Sequence, residues 1–338
     1  MIVSMNGTLI EQAEAVVSIY DHGFLYGIGL FETFRTYGGR PFLLTRHLAR
    51  LAEGCRLLDI RPVPDEAEVR EQIARLLAAN GLDDGYFRLT VTAGTDMLGL
   101  PAGAYERPNT ILYVKPLPQA DESAYRDGKP LRLLRTRRNT PEGPYRFKSL
   151  HYMNNILAKR ELQSLPPAPP SQAGPPPEGL MLTQDGHLAE GIVSNVFFVR
   201  RDGDAGAVGP GSSPILCTPS LDTGILSGIT RAHVLELAKG IKELRTEEGL
   251  YTWQDLLAAD EVFVTNSVQE LVPVTSLIDE HGCCHVVGGG RNAASVDGFE
   301  AGASSGGHAA GTAGCSRGDP GPITGRLLQL YRKEAYSQ

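Results

Sequence analysis

The sequence predicts an α+β fold built as two units, and three observations carry that prediction. At 338 residues the chain has material for about two domains and a large core. Strand patterns of period two and amphipathic helix patterns of period 3.6 both recur before residue 117, which closes a small first unit, 1–117. A second series of strands and helices begins near Leu131, giving a larger unit, 125–338, interrupted by loops at 166–178 and 201–214 and by an insert at 282–318.

The elements follow in order. Met1 to Met5 and Thr8 to Ile10 flank Asn6-Gly7, a strong hairpin signal because both turn positions accept positive φ. The glycine-rich run Asp21 to Phe34 resembles a dinucleotide fingerprint only superficially, since a strand, Phe31 to Thr36, follows where that motif needs a helix. Residues 46–58 read as a helix with Leu48, Leu51 and Leu58 on one side. Asp65 caps another, with Glu68 three residues on and Asn80-Gly81 as its stop. Tyr86 to Ala93 and Thr110 to Lys115 are strands. In the second unit, Leu131 to Leu134 is a strand, and Tyr152 to Leu165 is a helix burying Met153, Ile156, Leu157 and Leu165. A proline-rich spacer, Pro166 to Pro177, is followed by a hairpin of Gly179 to Thr183 with Leu188 to Val199 about Asp185-Gly186. Gly228 starts a helix with Val234, Leu235 and Ala238 buried, Glu261 to Thr265 is a strand, and Leu327, Leu328 and Tyr331 lie on a final helix.

Composition excludes several function classes. A net charge of −7 without long basic runs argues against nucleic-acid binding. No stretch approaches the roughly 18–20 apolar residues of a membrane span, and Met1 to Gly7 lacks the regions of a signal peptide. Five cysteines, odd and sparse, do not suggest a disulfide framework, so a reducing cytoplasm is expected. Gly282 to Gly318 is rich in glycine, alanine and serine with no apolar period, and is expected to be disordered. His281 just before it and Cys283, Cys284, His285, His308 and Cys315 within it lack a second well-spaced pair, so no metal site is expected.

Chemistry gathers around Lys148, one of only seven lysines in an arginine-rich chain. It sits beside Phe147 and Leu150 where an extended segment gives way to a helix. Partial desolvation there lowers an amine's pKa, and a neutral lysine forms Schiff bases and moves protons. A solvated surface lysine is the alternative. Glu190 heads an apolar strand, where an exposed edge residue is the commoner outcome. Thr223 to Arg231 is a turn feeding a helix, whose free N–H groups suit an anion, though capping by Ser227 or Thr230 explains it equally well. Val264 to Ser267 is a strand ending in hydroxyl and amide groups. Lysine, acid and phosphate cradle are together the needs of pyridoxal phosphate.

The order and text of these segments resemble the class IV aminotransferases, the fold-type IV pyridoxal-phosphate enzymes, from about Asn6 to Ile278 and again at Gly321 to Thr324. The resemblance implies a small N-terminal α/β domain, a larger C-terminal pseudo-barrel domain and a homodimer. It makes Lys148 the Schiff-base lysine, Glu190 the partner of the pyridine nitrogen, and Arg50 a phosphate ligand. Ile229, Thr230, Asn266 and Ser267 match the other phosphate-side positions, and Leu226 the side chain against the ring. Within the family, Arg137 to Gly143, Asp21 to Gly27 and the run from Lys148 through Asn154-Asn155 to Glu161 resemble the aminodeoxychorismate lyases. Those enzymes act in folate biosynthesis, releasing 4-aminobenzoate and pyruvate from 4-amino-4-deoxychorismate, in functional coupling with the synthase that makes it. Thr92 to Met97 lacks the basic residues that D-amino-acid aminotransferases carry there, which counts against that branch. Phe31, Arg138 and Arg146 are the candidates for the substrate side; Arg146 lies two residues from Lys148, on the same face of an extended segment. The alternatives are a D-amino-acid or branched-chain aminotransferase and, more remotely, a non-catalytic pyridoxal-phosphate-binding protein.

Overall fold

The computed structural model describes residues 1–101, 103–118, 122–166, 175–201, 213–288 and 321–337. The hairpin about Asn6-Gly7 forms as expected, β1 (Ile2–Met5) pairing with β2 (Thr8–Glu11). A short helix α1 (His22–Leu25) leads into β3 (Gly29–Tyr37), then β4 (Arg40–Pro41), α2 (Leu44–Leu57), α3 (Glu66–Asn80), β5 (Gly85–Thr92) and β6 (Asn109–Pro116). Asp65 accepts the Glu68 N–H at 2.9 Å, and Gly81 ends α3 in the left-handed conformation at φ 64°. The strands make an antiparallel sheet in the order β2-β1-β6-β5-β3-β4. Period two sorts its side chains. Leu30 and Phe34 of β3, with Phe87, Leu89 and Val91 of β5, pack against Leu48 and Leu51 of α2. Phe31 and Thr33, with Tyr86 and Arg88, are left on the opposite face.

The second sheet contains β7 (Lys129–Leu133), β8 (Glu178–Leu182), β9 (Leu188–Gly191), β10 (Asn195–Arg201), β11 (Pro214–Pro219), β12 (Arg245–Gly249), β13 (Glu261–Asn266) and β14 (Glu270–Ile278), with β15 (Cys284–Val286) paired to β14. It is mixed and curled into a half-barrel, β7 running parallel to both β8 and β14. Its apolar runs are buried on both faces. Val196, Phe198, Val262 and Val264 pack with Trp253 and Leu256 of α7 (Trp253–Leu257). Phe197, Val199 and Phe263 pack with Val234 of α6 (Ile229–Lys239) and with Leu327 and Tyr331 of α8 (Pro322–Ser337). Tyr37 joins this second cluster and donates to Glu270 at 2.7 Å, tying the two sheets together. The remaining helices are α4 (Glu122–Arg126) and α5 (Met153–Ser164). Among the described residues no helix is long and apolar enough to cross a membrane.

Four expectations change. Helix α5 forms, but it buries Asn155, Ala158 and Leu162, leaving Met153, Ile156 and Leu157 exposed. Its inward face is chosen by polar contacts: Asn155 Nδ2 donates to the Ile192 carbonyl at 2.5 Å. Leu188 to Val199 is not one strand but β9 and β10, separated by a turn in which Gly191 N–H bonds the Ser194 carbonyl at 2.7 Å. The loops expected at 166–178 and 201–214 lie largely outside the described residues, though Glu178 and Pro214 already belong to strands. The segment 282–318 begins in order: Asp279 Oδ1 accepts the N–H groups of His281 and Cys283, Gly282 takes φ 88°, and the chain returns as β15. Gly282 is thus the positive-φ residue of a turn rather than the start of a low-complexity tract. Residues 289–318, with His308 and Cys315, lie outside the described residues. Cys55, Cys217 and Cys283 are free thiols and Cys284 is disulfide-bonded.

Val287, 6% exposed, packs into the inner core behind β15. Val287→Ala should therefore cost about 1–3 kcal/mol in denaturant unfolding. The exposed His285→Ala should change stability by less than about 0.5 kcal/mol. Equal effects would place 283–288 outside the core.

Candidate active site

Lys148 follows a loop that leaves β7 and lies along the edge of β3. Its carbonyl accepts the Phe31 N–H at 2.8 Å, and Ser149 bridges Leu30. This pairing fixes the backbone and turns the amine into a cavity of about 520 Å³ between the two sheets. Part of the lysine faces the cavity, while protein surrounds the rest. Burial lowers its pKa from 10.5 to about 8; the Arg50 cation adds to the effect, while Glu32 and Glu190 oppose it. At pH 7 roughly a tenth of such amines are neutral, against a few in ten thousand for an ordinary lysine. The Nζ atom stands 4.7 Å from the centroid of the Phe31 ring.

Glu190 comes from the end of β9, and the break after it explains its setting. Both oxygens are held. Oε1 accepts Arg138 Nε at 2.7 Å, and Oε2 accepts Leu226 N–H at 3.1 Å and Asn195 Nδ2 at 3.4 Å. Arg138 is in turn oriented by Asn154 Oδ1 at 2.7 Å and Asn155 Oδ1 at 3.4 Å, which accounts for the Asn-Asn pair at the start of α5. Charge-assisted hydrogen bonds of this kind fix the carboxylate in place.

A third group lies where α2 meets α6. Glu32 projects from β3 towards α2, opposite to Phe31, and accepts His47 Nδ1 at 2.6 Å and Arg50 through Nε at 2.7 Å and a terminal nitrogen at 2.6 Å. Burial alone would raise the Glu32 pKa; the Arg50 charge and the His47 and Arg50 hydrogen bonds bring it down to about 2. Arg50 also donates to the Ser227 carbonyl at 2.6 Å, so it reaches the turn entering α6. That helix begins without a side-chain cap, and its first turn offers N–H groups beside the Thr230 hydroxyl, 3.3 Å from Ser267 Oγ. Gly228 is required there, because a Cβ would lie 2.0 Å from Asn195 Oδ1. The arrangement suits a dianion.

The cavity gathers every site residue expected from the sequence: Lys148, Glu190, Arg50, Leu226, Ile229, Thr230, Asn266 and Ser267, with Phe31, Arg138 and Arg146. Two of these have other work than expected. Arg138 is turned to Glu190 and the asparagines. Arg146 donates to the Gly224 carbonyl at 2.5 Å and to the Asn139 carbonyl, so it braces the loop before α6. Asn266 Oδ1 accepts the N–H groups of Val268 and Gln269, making the turn into β14. The sequence reading missed Arg88, whose guanidinium carbon stands 3.6 Å from the Phe31 centroid, inside the cavity. Alternation along β5, with Phe87 and Leu89 in the core, was the signal that turned it inward. Thr265 Oγ1 and Ser194 Oγ are buried, line the same space and have no hydrogen-bond partner among the described residues, as in a site shaped for a polar ligand.

A model of the family described as amino-transferase class IV matches residues 29–277. The chain is 43% identical to the aminodeoxychorismate lyase of Bacillus subtilis (strain 168) over 278 residues, 81% of this chain and 86% of that protein. Among solved structures it is similar to the 4-amino-4-deoxychorismate lyase from Pseudomonas aeruginosa, with TM-score 0.72, 30% identity and 99% of each chain covered. It is also similar to the T.th. branched-chain amino acid aminotransferase with pyridoxamine 5'-phosphate, with TM-score 0.71, 25% identity, and 99% of this chain and 94% of that one covered. With the family match spanning most of the sequence and the half-barrel fold shared throughout, the chain belongs to the class IV aminotransferase family.

Proposed function

We propose that the chain is a pyridoxal-phosphate-dependent aminodeoxychorismate lyase, releasing 4-aminobenzoate and pyruvate from 4-amino-4-deoxychorismate. The observation that carries the cofactor chemistry is the meeting, in one cavity, of a lysine lowered to about 8, a fully hydrogen-bonded carboxylate and an uncapped helix start. The choice of lyase rests on the 43% identity to the Bacillus subtilis enzyme.

The residues divide the work. Lys148 would hold the cofactor's carbonyl carbon and Glu190 its ring nitrogen. Arg50, Thr230, Ser267 and the N–H groups at Ile229 and Thr230 would hold its phosphate, with Leu226 against the ring. When bound, pyridoxal phosphate supplies an electron sink for charge developing at the substrate's amine-bearing carbon. Lys148, near 8, is matched to taking the proton from that carbon at neutral pH. Glu190, oriented by Arg138, would face the ring nitrogen and accept its hydrogen bond. Breaking the ring carbon–oxygen bond would then expel enolpyruvate, which takes up a proton to become pyruvate, and the ring left behind is aromatic, which drives the reaction. Since Arg138 and Arg146 are engaged elsewhere, Arg88 is the base we assign to a substrate carboxylate, with the Phe31 ring beneath it.

A homodimer is part of the same proposal. It is supported by the exposed apolar flank formed by α1 and the β5–β6 loop bonded to it: Phe24 at 69%, Met97 at 82%, Leu98 at 67% and Leu100 at 94% exposure.

Purified protein given 4-amino-4-deoxychorismate should yield 4-aminobenzoate and pyruvate in equal amounts with no 2-oxo acid present. Turnover only with an amino acid and 2-oxoglutarate would replace this reading with an aminotransferase. Lys148→Ala should lower kcat by about 10²–10⁴-fold. Arg88→Met should raise KM about 10–100-fold with a smaller change in kcat, as expected for loss of a charged hydrogen bond to a bound carboxylate; an unchanged KM rejects its role. Sedimentation should give a dimer at micromolar concentration, and a fully active monomer would refute the assembly.

A further inference from the structure

Four of the seven lysines line the same cavity: Lys148 and, besides it, Lys115, Lys129 and Lys159. The three others come from separate elements, and nothing in the chemistry at Lys148 calls for them. Lys115 ends β6 opposite Tyr86, with its ammonium 4.4 Å from that ring's centroid. Lys159 lies on α5 one turn beyond Asn155, on the face that carries Tyr152 into the cavity. Both are exposed at the mouth. Lys129, the first residue of β7, is only 5% exposed, and among the described residues its Nζ has one hydrogen-bond contact, a long one of 3.5 Å to Gln269 Oε1. A buried ammonium without a close acceptor is unfavourable unless an anion completes it. Glu178 is the carboxylate that acts on Lys129, but its Oε1 already accepts the Ile192 N–H at 2.9 Å.

We propose that Lys115, Lys129 and Lys159 form a second anion subsite that takes one carboxylate of a dicarboxylic substrate whose other carboxylate lies at Arg88, which shares the Phe31 ring with Lys148. The inference rests on the lyase reading for the identity of the substrate, since 4-amino-4-deoxychorismate carries a ring carboxylate and, on an ether oxygen two ring carbons away, the enolpyruvyl carboxylate. The subsite's ligand class, a rigid dianion with two separated carboxylates, rests on the lysines themselves. A monocarboxylate leaves Lys129 uncompensated, so the site discriminates by an unmet charge as well as by attraction.

The test uses 3-(carboxymethoxy)benzoate and 3-methoxybenzoate, an unreactive pair that differs by one carboxylate, titrated calorimetrically into the holoenzyme. The dicarboxylate should bind at least 10-fold more tightly. Lys129→Met should remove most of that preference while leaving 3-methoxybenzoate affinity within 2-fold. Because Lys129 is buried and its loss could disturb β7, Lys115→Ala and Lys159→Ala, both at exposed positions, provide the second arm. Each should weaken the dicarboxylate 2–5-fold, and the double variant more. Equal binding of the two probes, or exposed-lysine variants that leave the preference intact, overturns the proposal. A protein that prefers the dicarboxylate but makes no 4-aminobenzoate keeps the subsite and loses the lyase assignment. One that makes 4-aminobenzoate without the preference does the reverse.

Discussion

Two arginine–carboxylate pairs, Glu32 with Arg50 and Glu190 with Arg138, bracket Lys148, and the rest of the site depends on them. Burial drives the lysine towards its neutral form, yet the carboxylates keep it from losing its proton outright. Each carboxylate in turn needs its arginine. A buried Glu without its cation is costly, and the balance of charge around the amine would be lost. The arginines are fixed by their other partners: Arg50 by the Ser227 carbonyl, Arg138 by the asparagines of α5. Removing one partner of either pair would leave a buried charge, which is costly.

The two sheets separate the tasks. The half-barrel supplies Glu190, on β9 beside β8, and the α6 start. The small sheet supplies, through strict alternation on β3 and β5, one face that packs on α2 and another that lines the cavity. Glu32 and Phe31 are neighbours in sequence and serve opposite sides for that reason. In the proposed reading, reaction type is decided on the substrate side, where Arg88 and the cavity lysines lie, because lyases and aminotransferases share the cofactor.

Much of this was legible beforehand, where local chemistry decides. Asn6-Gly7, Asp65 and Gly81 mark their turns and caps because φ and hydrogen bonding act within a few residues. The cofactor-side residues came from motif order and all reach one cavity. What failed was decided at long range. The stripe Met153, Ile156, Leu157 has helical spacing, but Asn155 finds the Ile192 carbonyl 37 positions away, and that contact turned the helix. β14, buried along all nine residues, has a proline inside it at Pro273 and was not assigned. The partners of Arg138 and Arg146 are likewise set at long range, Glu190 for the one and the Gly224 carbonyl for the other.

The central claim is that the fold lowers the Lys148 amine into reach of neutral pH. It is tested most directly by amine-selective modification of the cofactor-free protein across pH 6–11, followed at the Lys148 peptide by mass spectrometry. The account predicts a reactivity midpoint near 8, well below that of the exposed lysines in the same sample. A midpoint shared with those exposed lysines, close to 10.5, would contradict it.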